Sequence, residues 1–328
     1  MKISHRHGRR CAIVCSLILL PTVVRADLLL KNARPAVKAS WVQSVSVFGD
    51  GLAKNGPEDD RVVYASKRWR ELGLDDWASA TGTIHCEGRL RGSATIINTQ
   101  GFGTSPPGLV LSTAAHVLYD LDSKTPFSSC AFHYLGLDSL PGYQGQIDLS
   151  SAMLGMFSPH DSTEDDTFGE GDWALLHVPS GIPAAVSVDG IKLKPFAQFT
   201  ENGASENTQV GLLAWSDTHD ALAFSLNCTA TPSSPGDIGG GRWEGQILDN
   251  CDSGQGASGG GLISMQAGQP FLVGMRTGTH WQGREFPEGP AEGAQWDVLT
   301  HTNFCRAIDE HVMDRLRQFL ARLGRTEI

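Results

Sequence analysis

The chain has 328 residues, of which 40% are hydrophobic, and it contains 38 glycines and 16 prolines. This length exceeds that of one small domain, and the glycines and prolines indicate the many turns of a β-rich globular protein. The formal net charge is −10, and an acidic surface argues against nucleic acid or an anionic membrane as a partner.

Residues 1–26 have the composition of a cleaved export signal. Met1–Arg10 is basic, Cys11–Val24 is apolar, and Val24-Arg25-Ala26 fits a small-x-small cleavage site. The alternative, a membrane anchor, needs about 20 apolar residues, whereas this run has 14 and contains Pro21. We therefore expect a secreted or periplasmic protein with no stable membrane insertion. Without the signal, which holds five basic and no acidic residues, the net charge is −15.

Residues 27–78 are weakly patterned and include a turn-rich break at Asn55–Asp60. We interpret them as a pro-segment followed by an arm that leads into the fold. From residue 79 onward, short apolar runs alternate with clusters of Gly, Pro, Asn and Ser, which predicts many short strands. The predicted strands include Thr83-Ile84, Ala94–Ile97, Leu109–Leu111, Trp173–Val178, Val210–Trp215, Ala221–Leu226, Gly261–Ile263 and Phe271–Met275. Such strands without intervening helices favour barrels or sandwiches over a βαβ sheet.

The C-terminal segment has a different pattern. Within Cys305–Leu323, apolar residues recur at spacings of three and four, which predicts an amphipathic α-helix over about residues 303–323. Thr302 or Asn303 is the expected N-cap, and Gly324 is expected to end the helix.

Three segments contain the residue types that a serine hydrolase requires. Gly256-Ala257-Ser258-Gly259-Gly260 offers a hydroxyl on a sharp turn, with the N–H groups of Gly256 and Ser258 directed to one point. His116 ends an apolar strand, and Asp172 opens another strand, where a partly buried carboxylate needs a partner. The imidazole would remove the proton from the hydroxyl, and the carboxylate would orient the imidazole. Taken singly, each segment also fits a surface turn or a structural side chain.

Together the segments resemble the chymotrypsin-like serine proteases. Within that family, the sequence is most similar in character to the secreted bacterial members. Ser-Thr-Ala-Ala-His-Val, Asp-Trp-Ala-Leu-Leu and Gly-Ala-Ser-Gly-Gly are similar to that family's three motifs, in the same order. Gly92–Ile97 is similar to the strand that leads toward the histidine. The resemblance covers about residues 60–323, and it implies a serine endopeptidase with His116, Asp172 and Ser258 as its triad.

The resemblance also implies an all-β fold of two antiparallel barrels followed by the C-terminal helix. The peptidase domain would span 79–328, with a first barrel at about 79–182 and a second at about 183–302. The N–H groups of Gly256 and Ser258 would form the oxyanion hole. No cofactor is implied, and the expected partners are protein or peptide substrates.

Two departures from the family pattern affect these expectations. Ala257 stands where members activated by cleavage have an aspartate that receives the new N-terminal ammonium, so that salt bridge cannot form. No cysteine accompanies His116, so Cys86 must pair elsewhere. We expect the disulfides Cys86–Cys130 and Cys228–Cys251, which leave Cys305 as a free thiol.

The resemblance places a specificity pocket between two segments. Asp252 and Ser253 match the wall where trypsin-like members carry an aspartate, which would attract Arg or Lys. Arg276 and Thr277 lie in a segment that resembles the opposite wall. An inward-facing Arg276 would neutralise Asp252 and allow neutral or acidic side chains, as in glutamate-preferring relatives. Asp252 as a plain turn residue is the third interpretation.

Other interpretations of the chain stay open at this point. Gly256–Gly260 also fits the G-x-S-x-G elbow of an α/β-hydrolase-type esterase, with Asp297 and His301 or His311 as the remaining residues. A catalytically silent, protease-like binding module is another possibility, although such proteins commonly lack part of the triad. The acidic loop at residues 160–170 could bind calcium through its oxygens, but it lacks EF-hand spacing.

Overall fold

A computed structural model describes residues 61–74, 79–103, 106–134, 143–155, 157, 170–179, 190–199, 208–217, 219–233, 245–281, 296–298 and 301–325. The predicted export signal, residues 27–60 and nearly all of the acidic loop therefore lie outside the described residues. Within those ranges, no helix is long and apolar enough to cross a membrane.

Short strands dominate the described part of the chain. Their bounds are β1 Val62–Val63, β2 Thr81–Cys86, β3 Arg89–Ile96, β4 Leu109–Thr113, β5 Tyr119–Asp120, β6 Thr125–Pro126, β7 Cys130–Tyr134, β8 Tyr143–Gln146, β9 Met153–Leu154, β10 Ala174–Val178, β11 Lys192–Leu193, β12 Thr208–Ser216, β13 Ala221–Pro232, β14 Gln246–Asp249, β15 Gly261–Gln266, β16 Gln269–Trp281 and β17 His301–Ala307. The α-helices are α1 Lys67–Leu72 and α2 Glu310–Leu323, and short 3₁₀ turns span Ala115–Leu118 and Phe196–Gln198. All eight runs named above fall mainly within strands, as predicted.

The strands form two units, and the second unit, which contains β12 to β17, is a closed six-stranded barrel. Its strands are neighbours in the order β13, β12, β15, β16, β17 and β14, and β14 pairs with β13 to complete the ring. These pairings are antiparallel. β1 extends the sheet beside β13, and β11 pairs in parallel with β16. The apolar interior includes Val210, Leu212, Ala230, Ile247 and Val273.

The first unit is a curled antiparallel sheet with the strand order β8, β7, β2, β3, β4, β10 and β9. Its concave side encloses a separate apolar core that includes Ile84, Leu111, Phe132 and Leu176. Within the described residues this sheet forms a half-barrel. The expected all-β class is confirmed, with one unit closed and the other open. The α/β-hydrolase alternative is wrong, because that fold requires a largely parallel sheet flanked by helices.

Two hairpins show how the local sequence sets the register of the strands. Glu87-Gly88 joins β2 to β3, and Ala267-Gly268 joins β15 to β16. All four residues have positive φ, from 50° to 77°. Positive φ at both positions of a two-residue loop is the type I′ geometry that matches the twist of paired strands, and glycine at the second position adopts it without strain.

A third apolar cluster joins the two units and both helices. It buries side chains from the first sheet, the barrel, α1 and α2, including Val110, Trp173, Leu175, Leu213, Phe224, Trp69, Leu316 and Phe319. A continuous hydrophobic contact of this kind fixes the two units relative to each other. It therefore holds together any site that is assembled from both.

The C-terminal helix begins later than predicted. Residues 301–307 form β17, where Cys305 pairs with Arg276 on one side and Ile247 on the other. Asp309 is the N-cap, and its side chain accepts a hydrogen bond from the N–H of Val312 at 2.8 Å. The predicted start near residue 303 is therefore wrong, and so are Thr302 and Asn303 as caps, because the barrel needs this segment as a closing strand. The predicted end at Gly324 is correct.

The segment before residue 79 contributes to the folded body. Helix α1 is capped at its N-terminus by Ser66, whose side chain accepts from the N–H of Trp69, and at its C-terminus by left-handed Gly73. Trp69 and Leu74 are 0% and 1% exposed, and both belong to the cluster between the two units. Residues 61–74 therefore pack into the folded body.

Replacing Trp69 with alanine tests that conclusion. We expect Trp69→Ala to lower the free energy of unfolding by about 3–5 kcal/mol, because it leaves a large cavity in a packed core. Arg70→Ala, on the exposed side of the same helix, should change the free energy by about 0.5 kcal/mol or less. Urea unfolding measures both. Equal small effects would show that α1 is not needed for stability.

Candidate active site

The strand register brings His116 and Asp172 together. Strand β4 pairs with β10 so that Thr113, at the end of β4, lies opposite Ala174, at the start of β10. His116 follows β4 on the 3₁₀ turn, and Asp172 precedes β10 by two residues. Because the end of one strand lies beside the start of the other, the two side chains meet at one edge of the sheet.

The His116–Asp172 contact is short and largely buried. The Asp172 side chain is 0% exposed, and its Oδ2 lies 2.7 Å from His116 Nδ1. Its other oxygen, Oδ1, accepts a hydrogen bond from the backbone N–H of His116 at 2.9 Å. Both carboxylate oxygens therefore contact the same residue, which fixes the imidazole so that Nδ1 faces the carboxylate and Nε2 faces away from it.

The loop that carries Ser258 is held by Ser93 of β3. The N–H of Ser93 donates to the carbonyl of Ser258 at 2.7 Å, and its hydroxyl donates to the carbonyl of Gly256 at 2.7 Å. The Ser93 hydroxyl also accepts from the N–H of Trp215 at 2.8 Å. One small side chain thus connects the first sheet, the serine loop and β12. The sequence predicted Ser93 only as part of a strand. A small polar residue among apolar strand positions could have indicated its bridging role.

Gly259 brings the serine loop against the strand that precedes His116. Its φ is +81°, and a Cβ at this position would lie 2.0 Å from Thr113 Oγ1 and 2.3 Å from the carbonyl oxygen of Ser93. The backbone of Gly259 therefore approaches Thr113 and Ser93 of the first unit too closely for any side chain to fit between them. Ser258, adjacent to this contact, is half-buried.

The N–H groups of Gly256 and Ser258 remain available. Gly256 has φ +85°, a left-handed conformation that glycine adopts without strain. Among the hydrogen bonds of the described residues, neither N–H donates to a protein acceptor, whereas those of Ala257, Gly259 and Gly260 all do. Both residues are half-buried, so these two N–H groups, on either side of Ala257, are able to donate to an oxygen from outside the chain.

Gly259→Ala is expected to damage the fold far more than a matched glycine substitution. We predict a loss of about 4 kcal/mol or more in the free energy of unfolding, because the buried Thr113 side chain and the Ser93 carbonyl leave no room for a methyl group. Gly88→Ala, at φ +77° with nothing within 4 Å of the added carbon, should cost only about 1–2 kcal/mol for the left-handed conformation. Chemical denaturation compares the two variants, and equal losses would contradict the close approach at Gly259.

Both expected disulfides are confirmed. Cys86 is bonded to Cys130 and Cys228 to Cys251, and Cys305 is a free, buried thiol. The first bridge links β2 to β7, and the second ties β13 to the segment that leads into the serine loop. Disulfides of this kind are typical of proteins that fold in oxidising compartments.

The predicted pocket residues are all buried. Asp252 and Ser253 are 4% and 5% exposed, and the N–H of Asp252 donates to the Ser225 hydroxyl at 2.9 Å. Thr277 is 1% exposed, and its hydroxyl donates to the carbonyl of Phe304 at 3.2 Å. The Thr277 hydroxyl therefore already has a hydrogen-bond acceptor within the barrel.

Arg276 is balanced by an acid that sequence reasoning did not consider. Its Nη2 donates to Asp249 Oδ1 at 2.8 Å, and the two side chains are 2% and 0% exposed. Burial alone lowers the pKa of Arg276, but the neighbouring Asp249 raises it above its ordinary value. The Cys305 thiol also contacts Asp249, and burial raises its pKa well above the usual range. Arg276 is therefore paired with Asp249 in a buried salt bridge, and burial holds the Cys305 thiol in its neutral form.

No cluster of three or more His, Cys, Asp or Glu side chains able to hold a metal ion occurs within the described ranges. Of the acidic loop considered for calcium, Glu170 is exposed, and residues 160–169 lie outside the described residues. Of the α/β-hydrolase residues named above, Asp297 is exposed, His301 begins β17, and His311 lies on α2 with its ring 6.1 Å from that of Trp173.

Comparison with known proteins shows similarity at the level of structure. No family model and no curated protein sequence matches the chain. A solved structure of a Glu endopeptidase in complex with MPD matches with a TM-score of 0.50 and 13% identity, covering 83% of this chain and 99% of the other. At that identity the match concerns the fold, and together with the barrel, half-barrel and terminal helix it shows that this chain has the chymotrypsin-like fold.

Proposed function

We propose that the protein is a secreted serine endopeptidase that cleaves peptide bonds through His116, Asp172 and Ser258. The observation that carries the proposal is the buried Asp172 carboxylate. Its Oδ1 accepts from the backbone N–H of His116 at 2.9 Å, and its Oδ2 lies 2.7 Å from His116 Nδ1. A fully buried carboxylate is retained in a core only where a partner offsets its desolvation. Two disulfides and the N-terminal sequence support export.

The proposed reaction proceeds through an acyl-enzyme. Ser258 Oγ attacks the carbonyl carbon of the scissile bond while His116 Nε2 removes its proton, and Asp172 stabilises the resulting imidazolium. The negative charge on the substrate oxygen is stabilised by the N–H groups of Gly256 and Ser258. His116 then donates the proton to the leaving amine. Water, deprotonated by the same histidine, hydrolyses the ester and regenerates Ser258.

Cleavage of a peptide library by the purified mature protein tests the proposal. A serine endopeptidase should cut internal bonds at a consistent residue preference, and Ser258→Ala in the same preparation should cut none of them. A catalytically silent binding module would leave the library intact with both proteins, which would reject the proposal.

For the residue before the cleaved bond we propose a preference for Arg or Lys, directed by Asp252. Asp249 already balances the charge of Arg276, so Arg276 is not needed as the counter-charge of Asp252, and a buried carboxylate suits a cationic ligand. The competing proposal is an acidic preference. It draws on the name of the solved neighbour, a Glu endopeptidase, and on the buried Nε and Nη1 of Arg276, which have no hydrogen-bond partner among the described residues.

Substituting Asp252 distinguishes the two preferences. We expect the wild type to cleave after Arg and Lys, and Asp252→Ser to lose about 100-fold or more of kcat/KM for those substrates while activity after Leu changes little. The measurement compares Arg, Lys, Glu, Leu and Phe at the cleaved position in matched peptides. A wild type that prefers Glu, or a variant that keeps its Arg preference, would show that Asp252 does not set specificity.

A further inference from the structure

Arg306 is a fully buried arginine whose hydrogen bonds link three parts of the chain. Its side chain is 0% exposed. Nη1 donates to the carbonyls of Gly245 and Ala307 at 2.8 and 2.9 Å, and Nη2 donates to Asp309 Oδ2 at 2.8 Å. The remaining bond runs from Nε to the carbonyl of Glu170 at 2.8 Å. Four donor–acceptor contacts hold the planar guanidinium in one orientation.

The surroundings of Arg306 are shaped around the guanidinium. Gly245 has φ +77°, and a Cβ there would lie 2.6 Å from Nη1, so only glycine allows the approach. Asp309 balances the charge and also caps α2 through Val312. The bonds from Nη1 and Nη2 therefore serve the second barrel and the start of the helix. The Nε bond leaves that unit and reaches the first one.

The acceptor of the Nε bond stands two residues before Asp172. Glu170 has an exposed side chain, so it is the carbonyl that turns inward to Arg306. On the other side of Asp172, the Trp173 ring contacts His311 of α2 edge-on at 6.1 Å. Asp172 therefore lies between two anchors that both belong to the C-terminal segment 301–325.

We propose that Arg306 is a positioning residue for Asp172, holding the backbone from which the carboxylate reaches His116. This inference rests on the proposed peptidase function. An error of about 1 Å in the placement of a catalytic group can cost about 100-fold in rate. A shift of that size would break the 2.7 Å contact between Asp172 and His116. A buried guanidinium is also expensive to desolvate, and an apolar side chain could fill the same volume of the barrel wall without the Nε bond.

The test replaces Arg306 and a matched buried arginine. Arg306→Met removes all four bonds, and Arg306→Lys retains the charge and part of the bonding. Arg61→Met is the control, because Arg61 is also buried, at 5% exposure, and donates to Ser216 Oγ within the second unit. Two quantities are measured: kcat and KM on a peptide substrate, and the proton NMR signal of the His116 Nδ1–H in a Ser258→Ala background.

We expect Arg306→Met to lower kcat by about 100-fold with KM within about twofold of wild type, and Arg306→Lys to recover about tenfold of that loss. The Nδ1–H signal should broaden or shift in both variants. Arg61→Met should lower thermal stability while leaving kcat and the Nδ1–H signal unchanged. If Arg306→Met does not fold, the lysine variant decides the question by the same two readouts.

An Asp172→Asn background distinguishes positioning from general support. If Arg306 acts through the carboxylate, Arg306→Met should cause no further loss of kcat in that background. Additive losses, or an unchanged Nδ1–H signal in the Arg306 variants, would overturn the proposal. A wild type without peptidase activity would reject the proposed function instead, while the NMR measurement in Ser258→Ala would still test whether Arg306 holds Asp172 against His116.

Discussion

Ser258→Ala and His116→Ala are each expected to lower peptide turnover on the order of 10⁶-fold, and the double variant should be little worse than either single one. The reason is that the hydroxyl is a weak nucleophile until the imidazole removes its proton, so either loss disables the same step. Hydrolysis of a chromogenic peptide measures all three variants. Both single variants should remain folded, because Ser258 is half-buried in a loop held through backbone atoms.

The control for these losses is Ser264→Ala. Ser264 follows in β15, is 3% exposed and donates to the carbonyl of Gln209, so its loss affects stability without touching the site. It should retain most of the activity. Additive losses in the Ser258/His116 double variant, or a Ser258→Ala protein with a tenth of wild-type turnover, would contradict the assigned roles.

Asp172→Asn is expected to lower kcat by about 10⁴-fold with little change in structure. The asparagine has the same shape, but it cannot accept two hydrogen bonds from His116 as the carboxylate does at 2.9 and 2.7 Å. Its amide N–H₂ would face either the backbone N–H or the ring nitrogen, which holds the imidazole in the wrong tautomer. Steady-state kinetics and a circular dichroism spectrum measure activity and fold together.

Asp148→Asn is the matched control for that substitution. Asp148 also accepts a backbone N–H, that of Ser150 at 3.1 Å, but in the turn that follows β8. We expect it to retain full kcat. If Asp172→Asn lowered kcat by less than tenfold, the carboxylate would not be the partner that orients the imidazole.

The sequence predicted those parts of the protein that depend on local chemistry and pairing rules. Glycine spacing around Ser258, the strand-end positions of His116 and Asp172, and the odd count of five cysteines after the predicted export signal were all visible in the order of the residues. The disulfides and the all-β class are confirmed. The roles of His116, Asp172 and Ser258 remain predictions, to which the structure adds the bonded His116–Asp172 pair.

The features that sequence reasoning missed depend on contacts between distant segments. The helical spacing after residue 303 could not reveal that Cys305 pairs with strands on both sides, because strand pairing is decided by the partner strands. Arg276 pairs with Asp249, 27 residues away, and Arg306 bonds to the carbonyl of Glu170, 136 residues away. A buried arginine in a sequence shows only that it needs a partner, not which acceptor the fold supplies.

Active-site labelling tests the central claim most directly. The purified protein is treated with a fluorophosphonate probe, and the modified residue is identified by mass spectrometry of its peptides. An activated serine should react once per chain, at Ser258, and His116→Ala should abolish the reaction because the hydroxyl is no longer deprotonated. Absence of labelling in the folded wild type, or labelling at a different serine, would contradict the assignment of Ser258 as the nucleophile.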